Sequence, residues 1–251
     1  MLKKTLLVII MISILLCISC TENSVSPEDK PNEKKDPPET VKDIDDNIYK
    51  TIKIGSQWWL VENLKVTRYR NGDSIHHVPD DLEWPVIKSG AYSIYDHAGL
   101  NIDTYGLLYN WFAVNDNRGI APVGWHIPTD DEWKELEIFL GMEQSEVDDD
   151  FWRGTNEGGK LKEADFMHWK NPNEGATNES GFTALPNGYR NNKSSEFSTI
   201  TYQAHFWAST EYNSTQPKDF AWGRSLHRQK STVSRRYHDK QTGFGVRCIM
   251  D

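Results

Sequence analysis

Residues 124–133 read Gly-Trp-His-Ile-Pro-Thr-Asp-Asp-Glu-Trp, and this decapeptide decides how the rest of the chain is read. Thr129 and Glu132 stand three apart at the head of an apolar-periodic run. At that spacing the threonine hydroxyl accepts from the third helical N–H and the glutamate returns the bond, a capping box. Asp130, Asp131 and Glu132 add negative charge where the helix dipole favours it. Trp133, Leu136, Phe139 and Leu140 follow at three- and four-residue intervals. The spacing predicts a helix over 130–140 with these four on its buried face, stopped by Gly141. Upstream, 41–44 and 48–54 flank an Asp45-Asp46-Asn47 turn, and Gly55-Ser56 leads into 57–61, so the domain starts with a strand hairpin. Strands are also expected over 105–114, 204–211, 220–227 and 242–250, and a weaker helix over 144–152. Residues 71–104, 154–181 and 213–219 read as long polar loops, and Gly154–Gly159 as loop within the second. The fold class is α+β, one loop-rich domain over 43–251.

Ten tryptophans, ten tyrosines and nine phenylalanines supply enough buried area to stabilise a loop-rich domain, and most of these rings are expected in the core. Residues 1–19 form a secretory signal: a basic start at Lys3-Lys4, then an apolar run of about a dozen residues, short of the roughly 20 needed to span a bilayer. Cleavage before Cys20 removes two lysines and takes the formal net charge from −9 to −11. That charge argues against nucleic acid and against docking on anionic lipid. Residues 20–42 hold four prolines and ten charges and are expected to be a disordered, extended tether. After cleavage only Cys20 and Cys248 remain, so no disulfide within the chain is expected.

The end of the signal resembles a bacterial lipobox, with small Ser19 before the cysteine and Cys17 where leucine is usual. The resemblance implies lipid on Cys20. Each buried methylene contributes about 0.8 kcal/mol, so two or more chains hold stably. The expected location is the cell envelope at the outer membrane. The domain itself resembles the Fibrobacter succinogenes major paralogous domain family. The residues that carry this are 43–65 (DIDDNIYKTIKIGSQWWLVENLK), 105–116 (YGLLYNWFAVND), 124–133, 158–163 (GGKLKE), 176–190 (ATNESGFTALPNGYR), 206–212 (FWASTEY) and 242–249 (TGFGVRCI). The pattern is also similar to the formylglycine-generating-enzyme and C-type-lectin-like fold, in Gly124-Trp125…Pro128-Thr129 and Gly243-Phe244…Arg247. That likeness implies a twisted antiparallel sheet, few helices and much ordered loop. Two departures stand out. Many members of the family have a cysteine before the Gly-Trp, where this chain has Ile120-Ala121-Pro122. The paired reactive cysteines that hold copper in formylglycine-generating enzymes are also missing.

Motifs for other chemistry are absent. His76-His77, His126, His168, His205, His227 and His238 lack metal-ligand spacing. Asp148-Asp149-Asp150 lacks the register of a calcium loop and reads as a solvated face. No Gly-x-Ser-x-Gly occurs. No metal, cofactor or catalytic residue is implied. Binding remains, because rings stack on apolar sugar faces while amides bond hydroxyls. The candidate ligand-binding residues are Asn178, Glu179, Trp207, Glu211, Tyr212, Trp222 and Arg224. Each has a structural alternative. Burial is the favoured reading for Trp207 and Trp222, and the two readings stand level for Glu211 and Arg224. Tyr189-Arg190 reads alternatively as a buried charge pair that holds loops. The function expected is a membrane-anchored surface lipoprotein with a non-catalytic binding or adhesion domain for a glycan or protein. The alternatives are an enzyme of the formylglycine-generating group with different chemistry, or a structural envelope protein.

Overall fold

The capping box at 129–132 closes as expected. In the computed structural model, which describes residue 36, residues 38–213 and residues 219–251, the Thr129 hydroxyl accepts from the Glu132 N–H at 3.2 Å and the Glu132 carboxylate accepts from the Thr129 N–H at 2.7 Å. The signal segment, Cys20 and most of the tether lie outside the described residues. Residues 40–42, counted with the tether, are instead a strand, because they pair with the strand across the Asp45-Asp46-Asn47 turn. Asp43 holds that turn by accepting from the N–H groups of Asp45 and Asn47.

The strands in chain order are β1 (Thr40–Lys42), β2 (Ile48–Ile54), β3 (Gln57–Leu60), β4 (His76–His77), β5 (Ala91–Ser93), β6 (Leu108–Tyr109), β7 (Trp125–His126), β8 (Phe151–Arg153), β9 (Tyr189–Arg190), β10 (Phe197–Ser198), β11 (Gln203–Glu211), β12 (Phe220–His227), β13 (Val233–Asp239) and β14 (Ile249–Met250). The α-helices are α1 (Leu100–Tyr105), α2 (Trp111–Val114), α3 (Asp130–Phe139) and α4 (Glu157–Leu161). One antiparallel sheet runs β1-β2-β3-β14-β7 and another β11-β12-β13-β8; a small sheet, β4-β5-β6, and the β9–β10 pair complete an α+β fold. No helix among the described residues is long and apolar enough to cross a membrane.

Four further expectations from sequence are corrected. Residues 105–114 are strand only at β6: the Asn110 side chain accepts from the N–H groups of Ala91 and Ala113, which caps α2 and turns the chain. Residues 144–150 are turns and 151–152 already belong to β8, with Asp148 and Asp150 paired to Lys134 and Arg235. Glu157 accepts from the Thr155 and Asn156 N–H groups and starts α4 inside the expected loop at 154–159. On α3, Trp133, Leu136 and Leu140 are buried, but Phe139 is exposed and covers the β2–β3 turn at Gly55; buried Glu137 takes its place inward.

Residues 243–250 are a strut through the middle. Only the last two form a regular strand, yet Gly243, Phe244 and Gly245 bridge to Arg190, Tyr109 and Phe206, and Ile249 pairs with both Trp59 and His126. A side chain at Gly245 would strike the Asn187 amide, 2.3 Å from where its Cβ would sit. Arg247 is buried and donates to Asn63 Oδ1 (2.6 Å) and to the carbonyls of Leu60, Phe182 and Thr183 (2.9, 2.8 and 3.1 Å). It has no carboxylate partner among the described residues, and burial pushes its guanidinium down to about 9. Cys248 is buried and free, and burial pushes its thiol far up.

Candidate functional site

Side chains alternate between the two faces of a strand, and the β11-β12-β13-β8 sheet uses its faces differently. One face lies under α3. It presents Phe206, Leu226 and Val233, and a buried ion network. Arg224 donates to Glu137 at 2.7 Å and to Asp130 at 2.7 Å. Arg235 donates to Asp130 at 2.8 Å, and Arg153 donates to Glu137. Burial alone would raise the Asp130 carboxyl, but the Arg235 and Arg224 guanidiniums outweigh it and hold it far below the usual carboxylate range.

The opposite face is open. In register, one row across its four strands reads His205, Ser225, Ser234 and Trp152. The next row carries Trp207, Gly223 and Arg236, and beyond it lie Ala221 and His238. The β9–β10 hairpin adds Tyr189 and Asn191–Lys193 at one side, and Phe244 of the central strut forms the floor. All of these but Trp207, Gly223 and Ala221 line a cavity of about 580 Å³, also reached by Phe151, Gln203, Phe220, Tyr237, Asp239 and Thr242. That volume lies within the roughly 300–1,000 Å³ of small-ligand sites.

Two imidazoles sit on this floor. His205 stacks on Phe244 (centroids 4.8 Å apart, planes at 21°), and His238 meets the same ring edge-on at 4.7 Å. His205 Nδ1 is 2.8 Å from Ser225 Oγ and Nε2 is 2.9 Å from Gln203 Oε1. One tautomer satisfies both, with Nε2–H donating to the amide oxygen and Nδ1 accepting the hydroxyl proton. Burial pushes His205 down to about 3 and His238 to about 4, so both are neutral at pH 7. His238 Nε2 is buried with no hydrogen-bond partner among the described residues.

The residues singled out from sequence do not converge. Asn178 closes its own loop, accepting from the Thr183 N–H and donating to the Thr183 hydroxyl, both at 2.9 Å. Glu179 is exposed beside it. Trp207 is fully buried and donates to the Tyr109 carbonyl. Glu211 pairs with Lys240. Tyr212 stacks on Tyr237 at 4.0 Å and meets Trp222 edge-on, while Trp222 lies 3.6 Å beneath Arg235 on the α3 side. Arg224, 1% exposed, belongs to the ion network. Asn178, Trp207 and Arg224 therefore direct their polar atoms to partners within the fold. Arg190 does tie loops together, but its carboxylate partner is Asp81, and its guanidinium also lies over Trp84 and Phe197.

The pocket residues His205, Ser225, Ser234, Trp152 and Arg236 were not singled out as binding residues in the sequence. The available signal was period two across 203, 205 and 207, which puts His205 on one face. The register that aligns four strands is not a property of any one of them. Among the described residues no three His, Cys, Asp or Glu side chains are grouped to hold a metal ion. Nothing among curated proteins or solved structures matches the chain. The family model of the Fibrobacter succinogenes major domain matches residues 52–250, from within β2 to the end of β14, and the chain belongs to that family.

Proposed function

We propose that this is a lipid-anchored envelope protein whose domain binds a saccharide, without catalysis, in the pocket over the His205 face. The observation that carries the reading is the lining. Trp152 and Tyr189, with Phe220 and Tyr237, supply aromatic rings to the lining. The Asn191 Nδ2, the Asn192 amide, the Gln203 Nε2 and the Ser234 hydroxyl make no hydrogen bond within the described residues. Rings with spare amides and hydroxyls suit a sugar, which has apolar faces and polar edges. Anchoring rests on residues 1–20 of the sequence. A C-type-lectin-like fold is supported by the curled antiparallel sheet, the four short α-helices among the described residues and the long ordered loops.

The test is a glycan array probed with the detergent-solubilised intact chain, followed by titration calorimetry on any hit. The reading expects a saccharide hit whose affinity falls at least tenfold in Trp152→Ala, roughly the loss for one buried ring contact. A hit insensitive to Trp152 would place binding elsewhere. For the anchor, labelled fatty acid should enter the wild-type chain and not Cys20→Ala.

One observation favours the enzyme alternative: Ser225, His205 and Gln203 form a hydrogen-bonded chain of the kind that activates a nucleophile. Two features weigh against it. An imidazole pushed down to about 3 is a poor base near neutrality. Gln203, being neutral, gives the imidazolium no charge stabilisation. A fluorophosphonate probe that labelled Ser225 would reverse this judgement.

A further inference from the structure

The charge at the pocket differs from that of the chain. The protein carries a formal net charge of −9, yet Lys193 and Arg236 line this cavity. Both are exposed, and neither forms an ion pair with any described residue. Arg236 lies over the Phe151 ring at 4.9 Å. Its N–H groups make no side-chain hydrogen bond or ion pair with any described residue. The single carboxylate in the lining, Asp239, accepts from the backbone N–H of Gln241 at 3.0 Å. His205 and His238 are neutral at pH 7 and add no charge. The one carboxylate of the β9–β10 hairpin, Glu196, accepts from Ser194 and does not line the cavity. The pocket therefore has two uncommitted cations and one carboxylate already engaged, beside rings and amides.

We propose that the saccharide bound here is acidic: a carboxylated sugar residue of the uronic-acid type, its carboxylate held by Arg236 and Lys193 and its ring against Trp152 or Tyr189. A planar carboxylate matches the guanidinium fork, and charge-assisted bonds are the stronger class. This rests on the saccharide reading above and narrows it to a chemical class.

The experiment compares an oligogalacturonate with its fully methyl-esterified, uncharged counterpart, by calorimetry on the intact chain in detergent. The acid is expected to bind about tenfold or more tightly than the ester at low salt, and the preference is expected to shrink as salt rises. In the double variant Arg236→Gln/Lys193→Gln the preference for acid over ester is expected to disappear. Both sites are exposed, so an unchanged melting temperature verifies folding. Equal binding of acid and ester by the wild type would overturn the acidic assignment and leave the saccharide reading standing. Binding of neither, with neutral hexose oligomers also silent, would overturn both.

Discussion

Arg224 and Glu137 are each almost fully enclosed, and each satisfies the other. Removing one side of such a pair leaves an uncompensated charge in a low-dielectric interior, a loss of about 3–5 kcal/mol. Arg224→Met is therefore expected to lower the unfolding free energy by that order in urea titration, whereas exposed Glu179→Ala stays within about 0.5 kcal/mol. A small effect at Arg224 would mean that Arg153 and Arg235 re-pair with both carboxylates. The two pocket histidines set a different dependence. Their folded-state values, about 3 and about 4, lie below the ordinary 6.5. As pH falls below about 6.5 the unfolded chain takes up protons that the folded chain refuses. The stability they contribute is full above that pH and is lost on acidification toward about 4 and below, by about 1.4 kcal/mol per pH unit for each histidine. His126 works against this, since Glu132 and Asp251 raise it. Urea titrations between about pH 6 and 4.5 should give a shallower slope for His238→Asn than for the wild type, by about that amount per unit. An unchanged slope would mean that water reaches His238 in the folded state.

At the scale of elements, α3 shows what local sequence determines. Its start depends on side chains within four residues, and the capping box formed as read. Thr129→Ala is expected to cost about 1 kcal/mol, within the roughly 0.5–2 kcal/mol of such caps, as seen in thermal unfolding. Its inward face was less legible. The apolar spacing counted Phe139 as buried, but the partners that select Glu137 come from Arg153 and Arg224, 16 and 87 residues away in sequence. β11 and β12, nine and eight residues long, fall where strands were expected. The segment at 105–114 misled. Asn110 both caps α2 and accepts from Ala91, so a strand-like composition is overruled by one amide.

At the scale of the whole molecule, the motif near the C-terminus acquires a cause. Gly243-Phe244…Arg247 marks the place where one extended segment meets the small sheet, the β9–β10 hairpin, β11 and the first sheet. Arg247 gathers the Leu60 carbonyl at the end of β3, the adjacent Phe182 and Thr183 carbonyls of one loop, and the Asn63 amide oxygen. Arg247→Lys keeps the charge but not the fork, so it should lower the melting temperature by several degrees, corresponding to about 2 kcal/mol or more. Family membership was legible in these motifs. The site was not, because its row of His205, Ser225, Ser234 and Trp152 exists only once four strands are in register. The ten tryptophans supply the most direct check on the pocket, since Trp152 is the one indole in its lining. With fluorotryptophan in the intact chain, titration with the acidic oligosaccharide should shift the Trp152 resonance and leave those of Trp207 and Trp222 unmoved. Movement centred on Trp222, or no movement at concentrations where calorimetry detects binding, would contradict the account.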